Sequence, residues 1–191
     1  QLCICDTARS RGRLMDRANR LRILKLVDDT ERDDFFTWSK QVEGHNINPL
    51  TLLATDYMNH FNEILMLLEM LPDMPDMLDE CQAWEETSYQ DHFRQSSFAA
   101  KDLAVAAYDH CPHKLKQPFE VTVTKLNLLI AEMLGEIATI IAAEQHERLG
   151  DYLPLQLEKL KELTGQANAI IQGEHIALDQ AEIDDLLVTR T

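Results

Sequence analysis

Apolar residues recur every three or four positions through most of the chain, and strand-like alternation is confined to residues 121–124. The clearest seam is Phe119, Val123, Leu126, Ile130, Met133, Ile137 and Ile140, in alternating steps of four and three. It absorbs the β-like run and predicts a helix over 119–147, with Gly150 as its stop. A second seam follows at Leu153, Leu157, Leu160, Thr164, Ala167 and Ile171, and Gly173 ends it. Two seamed helices with a short break between them predict an antiparallel helical hairpin.

A third seam comes earlier, at Leu50, Leu53, Tyr57, His60, Ile64, Leu67 and Leu71. Asn48-Pro49 reads as its cap and first-turn proline, and Pro72 and Pro75 as its end. Shorter helices are expected at 13–28, 30–42, 76–84, 88–95 and 99–110. Asp29 or Thr30 is placed to cap the second of these and Ser97 the last, which Pro112 closes. The expected fold is therefore all-α, a helical bundle of four-helix-bundle type with a long antiparallel C-terminal hairpin. Three parts are expected: a basic helical segment at 1–47, the bundle at 48–173, and an acidic tail at 174–191. Two seamed helices alone leave apolar surface uncovered, so a homodimer through the hairpin is expected.

Composition narrows the function classes. The 191 residues are 45% apolar and 27% charged, the balance of a chain that buries a core. No uncharged apolar run approaches the roughly 20 residues a membrane-spanning helix needs. With 18 basic and 33 acidic residues the net charge is -15, which argues against a nucleic-acid partner. The charge is uneven: residues 1–25 hold seven basic and two acidic side chains, and the rest of the chain carries the acidity. That basic arm reads as a solvated face, paired with the protein's own acidic surface. Cys3, Cys5, Cys81 and Cys111 show no zinc-knuckle spacing and read as reduced cytoplasmic thiols, and no secretory signal is read.

Several constellations were candidates for chemistry. His60 and Glu63 stand one turn apart after Asp56 and Tyr57, half of what a carboxylate–histidine metal site would need. No Glu-x-x-His occurs, so His60 reads as a hydrogen-bonded core histidine and no metal ligand is assigned. Met66, Met70, Met74 and Met77 suit an adaptable partner groove, but core filling beneath the proline turn is the favoured reading. His113-Lys114-Leu115-Lys116 resembles the phosphorylated-histidine motif of phosphotransfer domains, although Pro118 is expected to break the helix that motif requires.

The tail carries the most specific pattern. Leu178, Gln180, Ala181, Glu182, Ile183, Asp184, Leu186 and Leu187 outline a short amphipathic helix with Asp179 as its cap. A lone helix of that length gains order by docking in a partner's groove. The run resembles the peptide by which the flagellar switch protein family FliM binds the response regulator CheY, a pattern close to LSQAEIDALL. It departs at Asp179 and Asp185, and it stands at the opposite end of the chain from the FliM peptide. Asp184-Asp185-Leu186-Leu187 after a helical hairpin is also similar to the order of parts in the chemotaxis phosphatase family CheZ. That family's signature is roughly Q-D-L-T-G-Q, with the acid and the final glutamine as the acting pair.

Two places resemble that signature. Glu162-Leu163-Thr164-Gly165-Gln166 keeps Leu-Thr-Gly-Gln and replaces the aspartate by glutamate. Tyr89-Gln90-Asp91-His92-Phe93-Arg94-Gln95 keeps the first glutamine, the aspartate and the final glutamine. The resemblance implies Glu162 and Gln166 as catalytic residues, with Asp91 and Gln95 as the alternative pair. Asp56 with Asn59 is a third acid–amide pair, of shorter spacing. The expected function is binding of a CheY-like response regulator through the C-terminal helix, with dephosphorylation of its aspartyl phosphate as the enzymatic step. No cofactor of its own is implied, because the regulator brings its own magnesium. The alternatives are a non-catalytic helical adaptor, or a bundle with a metal or phosphohistidine site.

Overall fold

The computed structural model describes residues 27–174, and among them every regular element is a helix. They are α1 (Arg32–Gln41), α2 (Asn59–Met70), α3 (Leu78–Gln82), α4 (Tyr89–Gln95), α5 (Lys101–Asp109), α6 (His113–Ala142) and α7 (His146–Gln172). Short 3-10 turns at Thr55–Met58 and Pro75–Met77 lead into α2 and α3. No helix among the described residues is long and apolar enough to cross a membrane. The basic arm before Val27, all but the last two positions of the helix expected at 13–28, and the peptide expected to dock at 178–187 lie outside the described residues; positions 27 and 28 are not helical.

Helices α6 and α7 share the most extensive contact between elements, and α2 packs on α7. The two long seams supply this core. Phe119, Leu126, Ile130, Met133, Ile137 and Ile140 are buried on α6, and Leu153, Leu160, Thr164, Ala167 and Ile171 on α7. Val123 and Leu157 are half-buried at the flanks of the seams. Gly173 ends α7 in the left-handed conformation at φ 72°. The Gly173 N–H donates to the Ile170 carbonyl and the Glu174 N–H to the Ala169 carbonyl, so the last turn closes on its own acceptors.

Several expected boundaries moved, each for a physical reason. Gly150 does not stop α6; it lies inside α7. The break falls at residues 143–145, where Glu144 takes φ 57° and the Gln145 N–H donates to the Ile140 carbonyl. Pro118 does not break α6, which runs through it with Pro118 buried. It stands one turn inside the helix, where its missing N–H forfeits a single backbone bond, and the Thr122 hydroxyl caps its carbonyl at 2.9 Å.

Asn48-Pro49 does not open a helix either. The Asn48 Oδ1 accepts from the Leu50 N–H, while Asn48 Nδ2 and Thr51 Oγ1 donate to the Ile171 carbonyl at 2.9 and 2.7 Å. Leu52 is held at φ 60°, a conformation no right-handed helix can continue through. Residues 48–54 are thus strapped to the end of α7, and α2 starts only at Asn59. The expected caps also failed. Glu31 and Ala100 precede α1 and α5 without a side-chain hydrogen bond, and Ser96 rather than Ser97 shapes the turn by accepting from the Phe98 N–H.

The methionines are the largest change in packing. On α2 the inward stripe is Phe61, Ile64 and Leu68, continued by Leu71. Met66 and Met70 therefore fall on the far side and are exposed, Met66 by 62%, and Met74 is exposed in the turn that follows the helix. Only Met77 packs partly against the core, so the run is a surface stripe and not core filling.

Candidate functional site

Helix α7 positions the first acid–amide pair. Leu160, Thr164 and Ala167 turn inward, and the Thr164 hydroxyl donates to the Leu160 carbonyl at 2.8 Å. With 3.6 residues per turn, that register sends Glu162 and Gln166 outward one turn apart, and both are exposed. Lys161, the neighbour of Glu162, is spent on Glu69 of α2 at 2.6 Å. Gly165 between them has nothing within 4 Å of where a Cβ would stand, so a partner's surface can approach the backbone there.

The alternative pair is placed differently. Asp91 sits in the first turn of α4, where its carboxylate accepts from the Ser88 hydroxyl at 2.7 Å and from Arg94 at 2.6 Å. The Ser88 hydroxyl, and then Arg94, hold the Asp91 carboxyl below the usual carboxylate range. Each of its oxygens is already engaged by a neighbour on the same helix end, while Gln95 is exposed in the last position of α4. Of the third pair, Asp56 is half-buried in the 3-10 turn and Asn59 is exposed at the start of α2. The three pairs belong to different elements, and the 3-10 turn that carries Asp56 packs on both α4 and α7.

His60 is half-buried beside the core, with the Glu85 backbone as a hydrogen-bonding neighbour of its ring. Its ring stacks on Trp84 at a centroid distance of 4.6 Å, and its buried Nε2 has no partner within the described residues. Trp84 is fixed in turn by donating its Nε1 hydrogen to the His60 carbonyl at 3.1 Å. Burial lowers the His60 pKa, the nearby His92 adds to the effect, and burial lowers His92 likewise. Glu63 points to solvent, and among the described residues no group of three His, Cys, Asp or Glu is gathered to hold a metal. His113 is exposed as the first residue of α6, its N–H donating to Glu31.

An aromatic assembly surrounds these histidines and was not foreseen from the sequence. Tyr57, fully buried, meets Phe61, Tyr89, His92 and Phe119 at centroid distances of 5.3 to 5.9 Å. The Tyr57 hydroxyl donates to the Thr87 carbonyl at 2.8 Å, and the Tyr89 hydroxyl accepts from the Ala54 N–H at 2.8 Å. Burial pushes both phenols well above the usual tyrosine value. Beside the assembly lies a cavity of about 290 Å³, between residues 86–89, Tyr108 and residues 119–127 of α6. A second, more polar hollow of about 460 Å³ lies beside Asn48, Asp56 and Gln172, where the chain leaves α7. No single stretch carries a signal for the aromatic assembly, because its rings come from three separate stretches of the chain, 57–61, 89–92 and 119.

Compared with protein families, characterised proteins and solved structures, the chain matches none.

Proposed function

We propose that this protein docks on a CheY-like response regulator through residues 178–187 and hydrolyses the regulator's aspartyl phosphate with Glu162 and Gln166. The observation that supports the catalytic half is the paired outward placement of those two side chains on one face of α7. The docking half rests on the FliM-like run of the tail. Gln166 would hold a water in line with phosphorus, and Glu162 would pair with the regulator's lysine. Water oxygen bonds to phosphorus, the bond from phosphorus to the aspartate oxygen breaks, and the products are the free carboxylate and inorganic phosphate. The metal that neutralises the phosphoryl group is the regulator's own, so this chain contributes position and one charge.

Pairing of two copies belongs to the same proposal. Leu128 on α6 and Leu155 on α7 are 63% and 56% exposed, apolar surface that a second copy's helices would cover to complete a four-helix bundle. The non-catalytic adaptor is the second reading, favoured by the exposed Met66, Met70 and Met74 stripe, a surface suited to holding a partner. The docking claim is tested by titrating a CheY-type regulator with the full chain and with an Ile183→Ala/Leu186→Ala variant. Saturable binding that the double variant loses is expected. Equal affinity of the two proteins contradicts docking through the tail.

A further inference from the structure

We propose that the exposed methionines of α2 are covered by the chain's own basic arm, residues 9–26, which packs its apolar side on Met66 and Met70 and sets its arginines against the acids around them. Met66 and Met70 stand four residues apart on the outward face of α2, and Met74 is exposed in the turn that follows. Long, adaptable apolar side chains held together in water gain by being covered. Acids frame them. Glu63 precedes Met66 by three residues and Glu69 follows it by three, on the same face of α2, and Asp73 stands exposed beside Met74. Asp76, Asp79 and Glu80 are exposed in the 3-10 turn and helix packed on α2. Between Lys40 and Arg94 the chain holds no lysine or arginine, so this surface has no cation from its own segment. Lys161 reaches it from α7 and pairs with Glu69 at 2.6 Å.

The arm complements this surface in shape and in charge. Leu14, Ala18, Leu21 and Leu24 follow steps of four, three and three, one side of a helix, and Arg13, Arg17 and Arg20 flank that side. A methionine surface rimmed by acids suits a basic amphipathic segment, whereas the acidic tail at 174–191 would meet like charge there. The arm also has the reach. Asp28, just beyond it, pairs with Lys114 at 2.5 Å, which places the arm's root at the start of α6. The break at 143–145 folds α7 back along α6, so Gln172 lies at that same end. Asp56 and Gln172 line one hollow, which puts the approach to α2 there too, and the Glu69–Lys161 pair shows α2 running away from it. Met66 stands seven residues into α2, about 10 Å along its axis, and the 26 residues before Val27 span about 39 Å even as a single helix.

The test is limited trypsin digestion of the full chain without any regulator. Cleavage after Arg13, Arg17, Arg20 and Arg22 is followed by mass spectrometry, with a synthetic peptide of residues 9–26 as the unprotected reference. Cleavage in the full chain should be about tenfold slower than in the peptide, because the protease acts only while the arm is released. Met66→Gln/Met70→Gln removes the apolar contact and Glu63→Gln/Asp73→Asn the charge, all at exposed positions. Each should leave the melting temperature in place and return cleavage toward the peptide's rate, and high salt should do the same relative to the peptide. A nitroxide at residue 19 gives a second readout, carried by Asn19→Cys in a Cys3→Ser/Cys5→Ser chain whose remaining cysteines are buried. It should broaden the Met66 and Met70 methyl signals more than that of Met133 in the α6 core. A cleavage rate equal to the peptide's, protection unchanged in both double variants, or broadening no stronger at Met66 than at Met133 would overturn the proposal. Protection lost on dilution would assign the surface to a second copy's arm and overturn the contact within one chain.

Discussion

Thr164 and Leu160 are joined by a hydroxyl-to-carbonyl hydrogen bond of 2.8 Å on the buried side of α7, and the packing of that side against α6 and α2 sets the helix's rotation. Residues two positions before and after Thr164 must then face outward. Glu162 and Gln166 occupy those positions, which is why a sequence resemblance becomes a surface with a testable chemistry.

Replacement of Gln166 by alanine should leave regulator binding and the melting temperature unchanged, because the side chain is exposed. Turnover should fall by about two orders of magnitude, the usual loss when a group that orients or stabilises the reacting atoms is removed. Gln95→Ala should change neither, since its partner Asp91 is committed to Ser88 and Arg94. Single-turnover decay of the phosphorylated regulator with each variant checks both statements.

Stability should fall as the solution is acidified below the usual histidine pKa of 6.5. Burial lowers the pKa of His60 and of His92, so the unfolded chain takes up protons before the folded chain does. The folded state is favoured above 6.5 and loses that advantage as pH drops toward the depressed folded values. Urea midpoints at neutral and mildly acidic pH read the slope. A His60→Gln/His92→Gln variant should show a shallower one, and an unchanged slope contradicts the assignment.

Glu144 should be replaceable by glycine with a gain in stability. It closes α6 at φ 57°, a conformation that costs a side-chain-bearing residue about 1 kcal/mol and glycine little. The expected gain is about 0.5 kcal/mol after the added freedom of the unfolded chain is subtracted. Gly173→Ala, at φ 72°, should lose about 1 kcal/mol by the same argument. Chemical denaturation measures both, and a loss in Glu144→Gly would contradict it.

Cys81 and Cys111 should resist alkylation in the native protein. Both are buried; burial pushes the Cys81 thiol up to about 11 and raises Cys111 further. At pH 8 neither is a thiolate to any useful extent. Iodoacetamide labelling followed by peptide mass spectrometry should find both unmodified until urea unfolds the chain.

The parts of the fold readable in the sequence are those that local periodicity dictates. The seams of α6 and α7 name nearly every residue that α6 and α7 bury against each other, because one helix face needs only its own spacing to be recognised. Residues 48–54 mimic that spacing, yet Asn48 and Thr51 are captured by the Ile171 carbonyl, more than a hundred positions away. Pro118 reads as a breaker by its chemistry and is tolerated by its position. Met66 and Met70 are apolar yet lie outside, since the inward stripe was already filled by Ile64 and Leu68. Of the candidate site, the exposure of Glu162 and Gln166 followed from the seam. The ring of Tyr57, Tyr89, His92 and Phe119 did not, because only the tertiary fold brings its members together.

The most direct test of the central claim is the decay of acyl phosphate on a CheY-type regulator, followed with and without this protein at substoichiometric amounts. Accelerated decay, lost in Gln166→Ala, is the predicted result. Decay at the regulator's own rate, even when the protein saturates the regulator, would contradict the phosphatase and leave the protein a docking adaptor.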